Sequence, residues 1–449
     1  MFDGFLRVAA ATPDIRVADC NFNGASAAAL VSEAYEQGVS LLVLPELCLT
    51  GYTCSDLFLQ ESLLDGAGKA LLTLTEATRG KNMVVLAGLP LTVNGVLYNV
   101  AAVLHDGDIL GFVPKSYLPT YSEFYEGRHY HSGADIETDV LFNGRTYPFG
   151  TRLLFRCRQM PAFTLGIEIC EDLWVTQPPS ISHALAGATV IANLSASDET
   201  TGKDIYRRSL VSGQSARLVC GYIYADAGEG ESSTDLVFGA HNLICENGSI
   251  LAESERFSNQ MIMADMDMSK LISERRRMTT WQPKFDNGYR VIDFDLEMHE
   301  VDLRRFIDPH PFVPDDAMDR TRRCEEILTI QAMGLKKRLA HTHCRHAVVG
   351  ISGGLDSTLA LLVTVRAFDM LDMDRSQIMA VTMPCFGTTD RTYHNACELV
   401  RRLGATLEEV DIKEAVTLHF SDIGQDPANH DVTYENGQAR ERTQVLMDI

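Results

Sequence analysis

Residues 348–360 read VVGISGGLDSTLA. An apolar run, 347–349 with Ile351, meets Gly353 and Gly354, then Asp356 and Ser357, and the pattern TLALLVTVRAF follows. The spacing predicts a strand, a tight loop and a helix N-terminus. Glycine lacks a Cβ, so its N–H can approach an anion closely. The helix dipole and its unpaired first N–H groups favour negative charge at the same place. Ser352 and Ser357 add hydroxyl donors. Such a loop suits pyrophosphate, the group that leaves when ATP is cleaved between its α and β phosphates. It is neither a G-x-x-x-x-G-K-[ST] loop nor G-x-G-x-x-G. The plain alternative is a βα turn that holds no ligand.

Working outward, residues 319–339 read as an amphipathic helix. His341, His343, Cys344 and His346 alternate beside the strand start with no second ligand cluster, which argues against zinc. Downstream, QIMAVTMPCFGTTDRTYHNACELVRRLG gives a second strand, a loop and a helix, and 407–412 a third strand before the helix KEAVTLHF. A β-α-β-α-β order implies a parallel, doubly wound α/β sheet. MPCFGTTDRT then lies at the C-terminal end of strand two, where a nucleotide crevice forms. DVTYENGQARERTQVLM, 431–447, reads on its own as a capped helix with i,i+4 charge pairs.

The 449 residues suffice for two or three domains. Hydrophobic residues at 45% and charged residues at 22% are a globular balance. No apolar run reaches the ~18 residues of a membrane span, and the N-terminus lacks the basic region of a signal peptide. A net charge of −22 opposes a nucleic-acid partner. Eleven scattered cysteines fit reduced thiols better than a disulfide framework. The expectation is a cytoplasmic protein without a membrane partner.

In the first half, a strand begins at residue 5 and a helix spans 25–38, closed by a glycine. Residues 41–44 are a buried strand, stopped by Pro45, with Glu46 just beyond. Residues 81–91, 97–105 and 109–113 follow as strands, the last two paired around a D-G-D turn. Lys115 comes next, before an aromatic loop (Tyr117, Tyr121, Phe124, Tyr125, Tyr130) able to exclude water. The strand 163–169 ends abruptly at Cys170, Glu171 and Asp172. A lone cysteine is most often a small buried hydrophobe. At a strand-end elbow near a lysine, thiolate is favoured over thiol, and a neighbouring carboxylate can accept and return the proton. Glu46, Lys115 and Cys170 thus each stand just past an apolar strand, and in a layered α/β fold such ends converge. A strand at 189–194, a helix leading to a strand, and a hairpin turning at Asn247-Gly248 complete this half. SERRRMTTWQPKFDNGYRV and the proline-bearing IDPHPFVPDD make 271–318 an interdomain connection on the surface, its RRR run a solvated face. The domains expected are therefore 1–270, a connection at 271–318, and 319–449.

LPELCLTGY, PKSYLPTYSEFYEGRHY and GIEICEDLW resemble, in order, the motifs of the glutaminase branch of the nitrilase superfamily. That resemblance implies an α-β-β-α sandwich in which Glu46 is the general base and Cys170 the nucleophile. Lys115 would stabilise the thiolate and the tetrahedral oxyanion. It implies Tyr121, Glu171 and Ser197 as glutamine contacts. Lys203 stands near a position where the family often has arginine, and keeps the charge without the bidentate fork. SGGLDS resembles the PP-loop of the ATP pyrophosphatases, and with MPCFGTTDRTYHNA and YENGQAR it resembles the NAD synthetase family. ATP would be held by Gly350, Ile351, Ser352, Gly353, Gly354, Leu355, Asp356 and Ser357, and deamido-NAD would face Asn436 and Arg440. Gly437 departs from the family, where a bulkier residue is usual, and glycine weakens a helix by up to ~1 kcal/mol.

The fused order resembles the glutamine-dependent branch of the NAD synthetase family. It implies that ammonia from glutamine, carried inside the protein, amidates ATP-activated deamido-NAD, giving NAD, AMP and pyrophosphate. Magnesium accompanies ATP with its ligands unassigned, no prosthetic group is implied, and the assembly is a large homo-oligomer, an octamer. The family's threonine-glycine-aspartate-x-serine-glutamate stretch is not in this sequence, so only the glutaminase half is expected to be complete. Rival readings are another PP-loop amidotransferase, a nitrilase-type amidase, and a non-catalytic assembly module. tRNA thiolation is opposed by the charge and by the lack of a paired thiol motif.

Overall fold

The computed structural model describes residues 4–284, 288–386 and 390–449. They divide into two compact units, Met1–Phe306 and Ile307–Ile449. The first unit opens with β1 (Phe5–Ala11), β2 (Leu41–Val43), β3 (Val84–Val93), β4 (Val96–His105) and β5 (Asp108–Pro114). It continues with β6 (Glu137–Phe142), β7 (Arg145–Gly150), β8 (Leu153–Cys157), β9 (Thr164–Ile169) and β10 (Val190–Ser195). It closes with β11 (Gly221–Asp226), β12 (Leu243–Glu246), β13 (Ser249–Glu253), β14 (Met261–Asp267) and β15 (Arg290–Phe294). These form two sheets, ordered β14-β1-β2-β3-β4-β5-β7-β6 and β13-β12-β11-β10-β9-β8-β15.

Side-chain alternation explains the layering. Along β1, Leu6, Val8 and Ala10 enter a core shared with Phe155, Leu165, Val190 and Ile223 of the other sheet. Ala9 and Ala11 point the opposite way, toward Ala27 and Val31 of the helix Cys20–Glu36 and Leu71 and Leu74 of the helix Glu61–Ala77. The second sheet turns its outer face to Ala184, Val211 and Leu218 on its own helices. Both faces of each sheet are covered, so β1 to β3 read as continuous apolar runs. The arrangement is α-β-β-α.

Several expectations shift. The first helix starts at Cys20, where Asp19 caps it by accepting from the Phe22 N–H at 3.1 Å. The segment 137–157 supplies three strands the sequence did not announce, because β6 is an exposed edge with one buried residue. The expected connection at 271–318 is not uniform. Its first part carries most of the helix Met268–Arg277, and β15, which pairs in parallel with β8, so the first unit reaches Phe306. Nor is the RRR run wholly solvated. Arg275 is buried, its guanidinium donating to the carbonyls of Ala188, Leu218 and Val219 at 2.7–3.0 Å and stacking on Trp281. Carbonyls left open at the end of the helix Lys203–Leu218 need a donor there.

The second unit holds β16 (Ala347–Gly350), β17 (Ile378–Thr382) and β18 (Thr406–Glu409), all parallel in that order. Helices Ala317–Thr342, Leu355–Asp369, Asp390–Leu403, Lys413–Ile423 and Val432–Asp448 surround them. β18 ends three residues before the expected boundary. Residues 387–389, in the middle of MPCFGTTDRT, lie outside the described residues. Gly437 now has a reason: a Cβ there would stand 2.4 Å from Cε1 of Phe420, so its absence lets the last two helices pack. Among the described residues no helix is long and apolar enough to cross a membrane, and none of the eleven cysteines is in a disulfide.

Candidate active site

Glu46, Lys115 and Cys170 follow β2, β5 and β9, and Ala196 and Ser197 follow β10. The two sheets therefore contribute from both sides of the sandwich to one buried cluster. Lys115 is 1% exposed, and its Nζ donates to Oε1 of Glu46 at 2.7 Å and to Oε1 of Glu126 at 2.6 Å. An ammonium has three donors, and the third has no partner among the described residues. Glu46, equally buried, also accepts from Nδ2 of Asn99 at 2.6 Å through Oε1 and from the Ala196 N–H at 3.0 Å through Oε2. Three donors on one carboxylate fix its orientation.

Glu126 is the member that sequence reasoning missed. Its Oε1 also accepts from the Tyr52 hydroxyl at 2.8 Å, while Oε2 is buried without a partner. The aromatic loop that holds it offered no strand end to mark it. The available signal was chemical: a buried ammonium carries three donors and needs more than one acceptor. Burial alone would lower the Lys115 pKa, but Glu126 and Glu46 hold it well above the usual lysine range. Burial pushes Glu126 up to about 8 against the pull of Lys115.

Cys170 sits at a strained elbow, φ +45° and ψ −100°, between β9 and the short helix Glu171–Trp174. Its N–H donates to Leu194 O at 3.0 Å and to Asn193 Oδ1 at 3.1 Å, which hold the turn. The expectation of a resting thiolate is corrected. Burial, then the Glu46 carboxylate, raise the thiol pKa well above its ordinary value, although Lys115 and the Ala196 N–H pull it down. The nucleophile is thus stored as a thiol, and a proton must leave it when substrate arrives.

The remaining expected contacts line up around this cluster. Tyr121, largely exposed, donates to Oε1 of Glu171 at 2.9 Å. Burial raises the Glu171 pKa, and the Tyr121 bond opposes that. Ser197 donates its N–H to Asp226 Oδ1 at 2.8 Å and accepts on Oγ from Nη2 of Arg207 at 3.2 Å. Lys203 is paired to Asp198 and lies 5.3 Å from the Trp174 ring and 5.9 Å from that of Phe124. Arg207, fully buried, pairs with Glu199 and donates to Asp198 O, holding the loop that carries Ser197.

In the second unit, residues 350–357 turn from β16 into the helix Leu355–Asp369, whose start at Gly354 has no side-chain cap. Gly353 has φ +82°, and a Cβ on it would meet Thr392 O at 2.3 Å. Ser352 and Ser357 hydroxyls lie 3.2 Å apart and brace the loop. Beside it, at the C-terminal ends of the parallel strands, a cavity of about 580 Å³ is lined by Gly350, Ser352, Thr382, Glu435, Gln438 and Arg442 among others. Asn436 and Arg440 are exposed and do not line it. The phase of the helix Val432–Asp448, set by burial of Tyr434, Gly437 and Gln438, presents Arg442 instead. Among the described residues no group of three or more histidines, cysteines or carboxylates converges as a metal site.

A carbon-nitrogen hydrolase family model matches residues 7–276, and an NAD synthase model matches 327–449. A glutamine-dependent NAD(+) synthetase from Mycobacterium tuberculosis is 43% identical over 460 residues, covering 99% of this chain and 68% of its own length. The structure of a glutamine-dependent NAD(+) synthetase from Cytophaga hutchinsonii has a TM-score of 0.53 at 22% identity, covering 99% of this chain and 72% of that one. That of the Acinetobacter baumannii enzyme, in complex with adenosine diphosphate, has a TM-score of 0.51 at 24% identity with the same coverage. Both structures share the fold.

Proposed function

The chain belongs to the carbon-nitrogen hydrolase family and to the glutamine-dependent NAD(+) synthetases, and from that premise we propose how its own residues carry the reaction. The side-chain nitrogen of glutamine is transferred to the ATP-activated nicotinate carboxylate of deamido-NAD. Cys170 attacks the glutamine amide while Glu46 takes the thiol proton. Coupling the two events answers the raised thiol pKa. Lys115 remains an ammonium, held by Glu46 and Glu126, and its third N–H serves the developing oxyanion. Collapse returns the proton from Glu46 to nitrogen, ammonia leaves, and a γ-glutamyl thioester remains on Cys170. Water deprotonated by Glu46 then releases glutamate and regenerates the thiol. Tyr121, Glu171, Ser197 and Lys203 line up as glutamine contacts, Ser197 oriented by Arg207.

In the second unit the open first-turn amides of the helix Leu355–Asp369 and the Gly353 turn take the phosphates of ATP. Arg442, on the wall of the same cavity, suits a phosphate or carboxylate. Magnesium enters with ATP; no protein ligand set for it is assigned, and no step depends on one here.

The observation that carries the proposal is the buried lysine shared by two carboxylates beside a strained cysteine elbow. The test supplies glutamine, with and without ATP, deamido-NAD and Mg2+, and follows glutamate and NAD. Glutamate release is expected, and Cys170→Ala is expected to abolish it. Glutamate released equally by Cys170→Ala would refute the assignment.

A further inference from the structure

Cys170, Glu171 and Asp172 are consecutive, and the third takes no part in the steps above. Asp172 is 1% exposed, and among the described residues no lysine, arginine or histidine side chain donates to it. Its carboxylate is held by backbone alone. Oδ1 accepts from the Tyr117 N–H at 2.8 Å and the Ser116 N–H at 3.1 Å, and Oδ2 accepts from the Ile169 N–H at 3.0 Å. Ile169 is the last residue of β9, immediately before the nucleophile. Ser116 and Tyr117 immediately follow Lys115. One carboxylate thus joins the strand end that carries the thiol to the strand end that carries the ammonium, across the two sheets.

The backbone N–H groups of the two reacting residues themselves make no hydrogen bond across the sheets among the described residues. The Cys170 N–H is bound within its own sheet, by Asn193 and Leu194. The Lys115 N–H is bound within its own sheet, to Asn99 O at 2.9 Å. A buried carboxylate with no cationic side chain hydrogen-bonded to it is costly to desolvate, and a neutral side chain would pack there more easily. Burial pushes Asp172 up to about 7, opposed by the Ile169 N–H, the Lys115 ammonium and the Tyr117 N–H. We propose that Asp172 is a positioning residue, which holds the Cys170 elbow at its working distance from Lys115 through the three backbone N–H groups it accepts from. The inference rests on the roles given above to Cys170 and Lys115.

The test is Asp172→Asn. The amide preserves the shape but keeps one acceptor oxygen, and its NH2 faces backbone donors, so at least one of the two strand ends is released. The kcat for glutamine hydrolysis is expected to fall about 10- to 100-fold, as for a small misplacement of reacting groups, while KM changes little. The pH midpoint for alkylation of Cys170 by iodoacetamide is expected to rise, because the thiol loses part of the ammonium's influence. A variant that folds, by circular dichroism, and keeps kcat within twofold overturns the proposal. So does a rise in KM alone, or a lowered kcat with an unmoved alkylation profile, which would be general loosening. If the variant does not fold, hydrogen exchange on the unsubstituted protein decides. The Ser116 and Tyr117 amides, which follow a strand end, are expected to exchange as slowly as those of β5, and exchange within seconds refutes the clamp. Cys170→Ala run in parallel separates the two levels: glutamate release surviving it would sink the assigned chemistry, not the clamp alone.

Discussion

Replacing Glu46 by glutamine separates two effects that the site couples. The carboxylate accepts from Lys115, Asn99 and the Ala196 N–H. Glutamine with its oxygen toward Lys115 and Asn99 turns its NH2 against the Ala196 N–H, leaving a buried donor unpaired at a cost of ~1–3 kcal/mol. Loss of the base itself is worth about 10²- to 10⁴-fold in turnover, or ~3–5 kcal/mol on the barrier. The thiol should respond in the opposite sense to the rate. After burial, Glu46 is the largest influence holding the Cys170 pKa up. Its neutralisation should lower the thiol pKa. Glutamate release under saturating glutamine measures the first quantity, and the rate of iodoacetamide alkylation against pH measures the second. A slower enzyme with a more acidic thiol is expected. Hydrolysis within tenfold of the parent, or an alkylation midpoint that moves up, would refute the reasoning.

Other substitutions probe the supporting parts. Glu126 titrates at about 8 in the folded protein against ~4.3 when unfolded. The native state therefore binds more protons between these values, and stability falls as pH rises through that window. Glu126→Gln should flatten the decline in melting temperature between pH 5 and 8, by roughly the share of one carboxyl among several buried ones; an unchanged slope would contradict its raised pKa. Arg442→Ala should raise the KM for ATP or deamido-NAD about 10- to 100-fold, the worth of a charge-assisted hydrogen bond. Steady-state assays of NAD formation with ammonia supplied directly would show this, and unchanged values would remove Arg442 from the site. Gly437→Ala places a Cβ 2.4 Å from Phe420. Overpacking of ~1–3 kcal/mol should exceed the helix-propensity gain of ~1 kcal/mol, so the denaturation midpoint of the second unit should fall rather than rise.

The sequence disclosed those site residues that end apolar strands. Glu46, Lys115 and Cys170 each follow a run whose burial on both faces makes it continuous and easily bounded. Glu126 was hidden because its position depends on an aromatic loop folding back onto Lys115, a contact no periodicity encodes. Asn99, a polar residue within the run LYNVAAVLH, went unremarked in the sequence and meets Glu46. The protonation state of Cys170 was out of reach of motif reasoning, since it depends on how burial and two carboxylates weigh against one ammonium. In the second unit the β-α-β-α-β order and the loop at 350–357 were readable from glycine and apolar spacing. The choice between Arg440 and Arg442 was not. Helix phase is fixed by what Tyr434 and Gly437 pack against, and a shift of two residues, about 200°, moves a side chain to the opposite face of the helix. The tract at 271–306 misled for a related reason. Its arginines look solvated until one of them finds three open carbonyls.

The central claim is that glutamine's acyl group passes through Cys170. Acid quenching of the protein during turnover with glutamine, followed by peptide mapping by mass spectrometry, tests it most directly. A γ-glutamyl adduct confined to the peptide containing Cys170, and lost in Cys170→Ala, is the expected result. Glutamate formed with no adduct on that peptide, or with the adduct on another of the eleven cysteines, would contradict it.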